Sequence, residues 1–365
     1  MKKYTTLLGC LLFAATFTYA TIRTVSNSPS TLAQFNTIQA AIDASSSGDT
    51  VYVHGSPVDY AAFTITDKRL VIIGPGWSPN KNLPFTANVP GCTITGAASS
   101  NTELQGFVFT STLNLYFGGH PDNMRFIRNR FYHLSVYIQE GSTTYIGYLF
   151  EGNWFDNSQV VGSTNSTYQN FLFQNNYFFE TGCCVGGNIN GFTGSVNVLF
   201  NHNLWFGPAG AGVRDCFASD CRFLTLTNNI FVRRDPGNAN SNSTFNNNIT
   251  FYPAGSTAPS VPWTINGNIN SGGNVSNQDP QLADQVGVNA GTNDPLQNFT
   301  IAAGPGNNAG SDGKDIGLLY DAAGSLNWTN SRMGRLPFIF SMNITNPTIP
   351  VGGTLNVQVE ARKNN

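Results

Sequence analysis

A short motif repeats through the middle of the chain: apolar-x-apolar-x-x-Asn-x-apolar. In one copy the four defining residues are Phe171, Phe173, Asn176 and Phe178. The motif's asparagines are Asn129, Asn153, Asn176, Asn203, Asn229 and Asn248, and the last copy is the least regular. Successive asparagines are 24, 23, 27, 26 and 19 residues apart. A period in the low twenties, built from strands this short, is typical of a stacked solenoid.

Each repeated asparagine has a predicted place in that solenoid. Alternation before it directs every second side chain inward. The asparagine then marks a corner, because it tolerates the left-handed backbone that a sharp corner needs. Its amide can bond to the equivalent asparagine one coil away, which avoids a cost of about 1–3 kcal/mol for an unpaired buried polar group. The alternation resumes over 133–141, so we expect a buried asparagine ladder and about three short strands per coil.

The segments on either side of the repeats have their own signals. TIQAAIDASSSGDTVYVHG (37–55) contains an amphipathic helix with Ile38, Ala41 and Ile42 on its apolar face. DPQLAD (279–284) and FTIAAGPGNNAGSDGKDIGLLY (299–320) follow the repeats. Together with the ladder, these segments resemble right-handed parallel β-helix proteins of the pectate-lyase-like superfamily, especially secreted forms from Bacteroidetes-type bacteria.

That resemblance extends over roughly residues 22–325 and implies an all-β fold. The fold would be a right-handed parallel β-helix whose open end is plugged by the N-terminal helix, with a closing segment after the repeats. We therefore divide the chain into a signal peptide (1–20), the β-helix with its end caps (21–325) and a short C-terminal β extension (326–365).

The first residues predict export. Lys2 and Lys3 precede the apolar run LLGCLLFAATF, and TYA ends at Ala20, so we expect a secretory signal that is cleaved after Ala20. The alternative is a lipoprotein with Cys10 as the lipidated residue, which the short apolar stretch before Cys10 disfavours. No later segment contains about 20 consecutive apolar residues, so no transmembrane helix is predicted. The protein is expected to be secreted, extracellular or on the cell surface.

Charge limits the kinds of partner. Only 10% of residues are charged and the net charge is −2, so the sequence offers no electrostatic basis for binding nucleic acid or an anionic membrane. A polysaccharide or cell-surface glycan remains the expected partner. Nothing in the sequence indicates an oligomeric state.

The cysteines after the signal number five, so at least one has no partner within the chain. Export permits disulfides. We expect a bridge from the adjacent pair Cys183 and Cys184 to Cys216 or Cys221, and the alternative is buried free thiols.

The resemblance also implies where chemistry could occur. Enzymes of this fold act on long glycans in a groove: lyases use a Lys or Arg base beside Ca²⁺, and hydrolases use paired carboxylates. Stacking aligns residues at equal offsets from each ladder asparagine, which collects one set of polar residues just past the corner. The candidate catalytic residues are His133, Asp156, Glu180, Arg233, Arg234 and Asp235. The alternative is a set of mutually paired surface charges at strand ends.

Two further carboxylates lie in GSDGKDIG. Asp312 and Asp315 are candidate Ca²⁺ ligands, but their spacing lacks the oxygen donors of a dedicated calcium loop, which favours a role in a turn and end cap. We predict no metal and no cofactor, with Ca²⁺ expected only if the protein is a lyase.

Two functions are consistent with these patterns. The first is a non-catalytic secreted or surface β-helix that binds glycan or serves as a structural or adhesive element, using exposed Tyr, Trp and Asn side chains. The alternative is a polysaccharide lyase or glycoside hydrolase that acts on a long polysaccharide in a groove along the helix. The scaffold alone does not decide between them, because one fold hosts many activities.

Overall fold

The computed structural model describes most of the chain after the predicted signal segment. The described residues are 20–77, 85–110, 115–182, 187–210, 212–254, 262–320, 327–328, 337–344, 352, 354 and 357–363. Residues 1–19, including Cys10, lie outside them, so the predicted export signal and the lipoprotein alternative both stay predictions.

Helix α1 (Ile38–Ala44) plugs the start of the solenoid. The Thr37 hydroxyl caps it by accepting a 3.1 Å hydrogen bond from the Ala40 N–H. Ile38, Ala41 and Ile42 are buried, and the helix contacts the first strands of the solenoid. The predicted capping helix is therefore present.

Three parallel sheets form the body of the molecule, and the central coils contribute one strand to each sheet in turn. Sheet 1 has 11 strands: Ile22–Val25, Thr50–Val53, Val71–Ile73, Glu103–Gln105, Arg125–Ile127, Leu149–Glu151, Leu172–Gln174, Val198–Asn201, Leu224–Thr227, Thr244–Asn246 and Ile269–Asn270. Sheet 2 has 8 strands: Asn88–Val89, Val108–Phe109, Arg130–Tyr132, Trp154–Asp156, Tyr177–Phe179, Leu204–Phe206, Ile230–Val232 and Ile249–Phe251. Sheet 3 has 6 strands: Phe63–Thr66, Cys92–Thr95, Leu115–Gly118, Ser135–Ile138, Gln159–Gly162 and Ile189–Asn190. The fold is a parallel β-helix, as the repeat predicts.

Smaller elements complete the structure. A fourth parallel sheet contains Thr144–Ile146, Thr167–Gln169 and Gly194–Val196, and Arg214–Asp215 pairs with Arg234–Asp235. Single 3₁₀ turns span Ala97–Ser99 and Ile265–Gly267, and helix α2 spans Gln285–Ala290. Pro337–Ile344 and Val357–Lys363 form an antiparallel pair in the predicted C-terminal extension. Within the described residues, no helix is long and apolar enough to cross a membrane.

Aromatic columns fill the interior because the parallel register places equivalent residues one above another. In sheet 1, ring centroids are 4.8, 4.7 and 4.4 Å apart along the column Phe126, Phe150, Phe173 and Phe200. In sheet 2, the distances are 4.8, 4.6 and 3.9 Å along Phe131, Phe155, Phe178 and Trp205. These columns account for the Phe-rich flanks of each repeat.

The repeated asparagines bond to one another along the solenoid axis. The Asn176 Oδ1 accepts from the Asn153 N–H at 2.9 Å and from its Nδ2 at 3.0 Å. In turn, the Asn176 Nδ2 donates to the Phe150 carbonyl at 2.9 Å and to the Asn203 Oδ1 at 3.0 Å. All six repeated asparagines are fully buried. Asn274 adds a further rung, which the motif misses because no apolar-x-apolar pair precedes it.

The sharp corner lies one residue before each ladder asparagine. The residues with left-handed backbone are Arg128, Gly152, Asn175, His202, Asn228 and Asn247. The expectation that the ladder asparagine itself adopts this conformation is therefore wrong. A ladder amide must lie inside the solenoid, in line with its neighbours along the axis, so the preceding residue takes the reversal.

The segment after the repeats lies along the outer face of the later strands of sheet 2, which are buried on both faces. In strands such as Tyr177–Phe179 and Leu204–Phe206 every residue is buried. Leu282, Phe299 and Ile316 of this segment belong to an apolar cluster separate from the solenoid interior. The closing segment implied by the resemblance is thus a strap along the side of the solenoid. We call residues 279–320 the strap.

Candidate functional site

The six candidate catalytic residues do not form one open cluster: Glu180 and Arg234 pair with each other, and the others make separate structural contacts. Asp156 is buried, and its Oδ2 lies 2.6 Å from the Nη2 of Arg130. Its Oδ1 accepts a 2.9 Å hydrogen bond from the Nδ2 of Asn293 in the strap. The guanidinium of Arg130 lies 3.9 Å from the ring centroid of Trp154. Asp156 therefore helps to hold the strap.

Glu180 and Arg234 form a buried ion pair. The Arg234 Nη2 lies 2.9 Å from the Glu180 Oε2, and both side chains are almost completely buried. The same Nη2 donates to the Asn188 Oδ1 at 2.8 Å and to the Asp215 carbonyl at 2.7 Å. Neither charge reaches an open groove.

Arg233 and Asp235 are also engaged in structure. The Arg233 guanidinium donates to the carbonyls of Val288 and Asn289 at 2.8 and 2.6 Å, so it binds the C-terminal turn of helix α2. Burial lowers the pKa of Arg233. Asp235 accepts from the N–H of Gly237 at 2.9 Å, and burial raises the pKa of this carboxyl.

His133 is the one exposed member of the six. Its ring contacts that of Tyr132 edge-on, with centroids 4.4 Å apart. The backbone N–H of His133 donates to the Asp156 carbonyl at 3.0 Å. His133 and Arg233 each lie four residues after a ladder asparagine, and both have left-handed backbone. Their surroundings differ because the strap covers only Arg233.

The two candidate Ca²⁺ ligands make separate contacts. The Asp312 Oδ2 lies 3.1 Å from the Nε2 of His202, and the Asp315 Oδ1 accepts from the Asn308 N–H at 2.8 Å. Within the described ranges, no group of three His, Cys, Asp or Glu side chains could hold a metal ion.

Cys216 and Cys221 are buried free thiols, and the bridge expected from either of them to Cys183 or Cys184 stays a prediction. Cys183 and Cys184, its other predicted partners, lie outside the described residues. Burial raises the pKa of Cys221 to about 12 and that of Cys216 well above its ordinary value. Burial therefore favours the protonated form of both thiols.

Several of the left-handed corner residues bind the strap, a role that sequence reasoning missed. The Asn175 Oδ1 accepts from the Leu319 N–H at 2.7 Å, and the Asn228 Oδ1 accepts from the Ser311 N–H at 2.8 Å. His202 contacts the strap through both ring nitrogens. The sequence signal for this role was the doubled asparagine in copies such as NN at 175–176. Only the second asparagine is needed for the ladder, so the first is available to bind another segment.

Sheet 3 has an open outer face without charge. The register aligns its outward residues in the column Thr64, Thr93, Tyr116, Tyr137, Val161 and Asn190. All six strands of this sheet lack Asp, Glu, Lys and Arg. The rings of Tyr116 and Tyr137 stack with centroids 4.9 Å apart and an interplanar angle of 15°.

A hollow of about 360 Å³ lies beside this tyrosine pair, lined by Thr64, Thr93 and Tyr116 among others. Tyr116 stacks on Tyr137 with one face, so its other face borders the hollow. Tyr116 is 46% exposed. The hollow thus combines an aromatic face with two threonine side chains.

The comparisons with known proteins include a structural similarity. No protein-family model matches the chain, and no curated protein matches it. A crystal structure of a pectin methylesterase mutant in complex with a hexasaccharide covers 78% of this chain and 100% of its own, with 10% sequence identity and a TM-score of 0.24. A similarity of this size carries no argument about the activity of this chain.

Proposed function

We propose that the protein is a secreted, non-catalytic β-helix that binds glycan on the outer face of sheet 3. The observation that carries this proposal is the hollow beside Tyr116. Sugar rings present C–H faces that pack on an aromatic face, and their hydroxyls exchange hydrogen bonds with side chains such as Thr64 and Thr93. A shallow site with few polar groups and no charge suits a neutral sugar.

The arrangement of sheet 3 favours a long ligand over a single sugar. Neighbouring strands lie about 4.8 Å apart, so the column from Thr64 to Asn190 extends over roughly 24 Å. A glycan lying along the solenoid axis would meet one outward side chain per coil. Affinity would then come from several modest contacts, as in a structural or adhesive protein.

Burial of the candidate acids and bases supports a non-catalytic role. General acid–base catalysis needs a group within hydrogen-bonding reach of the substrate. Asp156, Glu180, Arg233, Arg234 and Asp235 are all buried and engaged by other parts of the chain. His133 alone is exposed among the candidates.

The test is affinity gel electrophoresis of the purified protein in soluble neutral polysaccharides. Tyr116→Ala should weaken binding about three- to tenfold, because a lost aromatic contact is worth roughly 0.5–1.5 kcal/mol. Tyr132→Ala, which removes another exposed tyrosine, is the matched control and should bind like the wild type. Equal retardation of wild type and Tyr116→Ala would refute the proposed site.

Catalysis is tested in the same preparations. The protein is incubated with neutral and uronate-containing polysaccharides, with and without Ca²⁺, while unsaturated products and new reducing ends are recorded. We expect neither. Product formation that disappears in His133→Ala would establish the lyase or hydrolase alternative instead.

Export is tested by expressing the full chain. The mass of the purified product should correspond to cleavage after Ala20. Retention of residues 1–20 would contradict the proposed secretion.

A further inference from the structure

A second hollow, of about 460 Å³, lies on the outer face of sheet 1 and has the opposite character. It spans four consecutive coils, and its lining includes Arg69, Asn101, Glu103, Asn123, Arg125 and Leu149. Glu103, Arg125 and Leu149 occupy equivalent positions on adjacent strands. Arg69, Asn101 and Asn123 each lie two residues before one of the aligned positions in their own strand. The lining is therefore a regular array of side chains from successive coils.

Arg125 is oriented toward the hollow by its neighbour. Its Nε lies 3.0 Å from the Glu103 Oε2, and the Arg125 side chain is 44% exposed. The two Nη atoms have no further partner in the described part of the chain. Glu103 therefore fixes the guanidinium from one edge and leaves the terminal donors available.

Arg69 supplies a second cation from another coil. Its side chain is exposed and makes no ion pair or hydrogen bond with any described residue. It belongs to the coil of the strand Val71–Ile73, two strand spacings from that of Arg125, or about 10 Å along the axis. Asn101 and Asn123, both exposed, line the hollow on the two coils after that of Arg69.

We infer that this hollow binds the oxyanion substituents, carboxylate or sulfate, of an acidic glycan. A guanidinium presents a planar fork of donors that matches such oxyanions, and carboxamides both donate to and accept from sugar hydroxyls. The inference rests on the proposed function that the protein binds glycans. It assigns a different sheet and a charged ligand class to a second face of the solenoid.

The low net charge of the chain means that an acidic ligand must be held by nearby cations rather than by a long-range field. The chain as a whole carries a net charge of −2, so no long-range field draws anions to it. Binding of an acidic polymer must then depend on a local arrangement of cations. Two arginines on separate coils favour a polymer with repeated acidic groups over a single small anion.

The experiment measures binding of the full-length mature protein to three probes: polygalacturonate, dextran sulfate and uncharged dextran. We expect at least one acidic probe to bind, and added salt to weaken that binding. Arg69→Ala/Arg125→Ala should reduce it roughly tenfold or more, since each arginine supplies charge-assisted hydrogen bonds. The acidic probe that depends on the arginines identifies the oxyanion as carboxylate or sulfate.

Three variants make the result specific. Arg222→Ala removes another exposed arginine and should bind like the wild type. Arg69→Lys/Arg125→Lys keeps the charge but loses the fork, so its affinity should be intermediate. Tyr116→Ala should retain acidic binding, which separates this hollow from the one on sheet 3. The inference is overturned if neither acidic probe binds, if the double alanine variant binds like the wild type, or if Arg222→Ala weakens binding equally.

Discussion

Replacing Asn176 with leucine tests whether the ladder stabilises the solenoid. The side chain lies in the middle of the ladder, is fully buried and bonds to Asn153 and Asn203 in the adjacent coils. Leucine has the same number and branching of side-chain heavy atoms as asparagine but no polar atom. The change therefore removes hydrogen bonds while leaving the interior filled.

The cost follows from the groups that lose their partner. The Asn153 N–H and one hydrogen of its Nδ2 both point at the Asn176 Oδ1, and the Phe150 carbonyl loses the Asn176 Nδ2. Each unpaired buried group costs about 1–3 kcal/mol, and burying an apolar side chain returns part of that. We expect a net loss of roughly 3–5 kcal/mol, a large share of the about 5–15 kcal/mol that is typical of a folded domain.

Urea unfolding, followed by far-ultraviolet circular dichroism and by tryptophan fluorescence, measures this loss. Asn165→Leu is the matched control, because Asn165 is exposed and should change stability by less than about 0.5 kcal/mol. A loss below about 1 kcal/mol in Asn176→Leu, with the control unchanged, would refute the reasoning. The ladder would then be a consequence of stacking rather than a source of stability.

Three further predictions concern the strap and the buried charges. Arg233→Ala should destabilise the protein by roughly 2–3 kcal/mol without changing glycan affinity, because two hydrogen bonds to helix α2 are lost; thermal unfolding and binding assays check this. Glu180→Gln should cost about 3 kcal/mol in urea unfolding, since it leaves the Arg234 charge buried without its counter-ion, and Glu180→Leu/Arg234→Met should recover part of the loss. Burial lowers the pKa of His202, so its contribution to stability is present above the unfolded value of about 6.5 and is lost as pH falls through the folded value. Unfolding midpoints at pH 7 and pH 5 should therefore differ less in His202→Gln than in the wild type, and an equal difference would contradict this.

The sequence predicts those features that repeat or that are local. The solenoid and the buried asparagine positions follow from the repeat period, because each coil contacts only its neighbours. The capping helix follows from its own amphipathic pattern. The apolar face of Ile38, Ala41 and Ile42 needs no distant partner to be recognised.

The candidate site was harder to predict because it depends on contacts between distant segments. Offsets from the ladder align Arg233 with His133, yet only the strap decides that one is buried and the other exposed. The strap's own sequence gives turns and a few apolar residues, but no repeat that indicates which sheet it covers. The hollow beside Tyr116 was equally hidden, since it arises where strands from different coils meet and no motif describes it.

The strap also determines how this chain can fold. Neighbouring rungs join residues only 23 to 27 positions apart in the middle of the ladder, as in the bonds from Asn153 to Asn176 and from Asn176 to Asn203. The strap contacts instead join residues that are far apart in sequence: 144 positions between Asn175 and Leu319, and 110 positions between His202 and Asp312. Contacts of high sequence separation form slowly because closing a long loop costs entropy before any contact is gained. We therefore expect two kinetic phases: coils that assemble one upon another, followed by a slower docking step. That step begins only after the chain has been synthesised beyond Leu319, so the apolar outer face of sheet 2 stays uncovered throughout the synthesis of the coils.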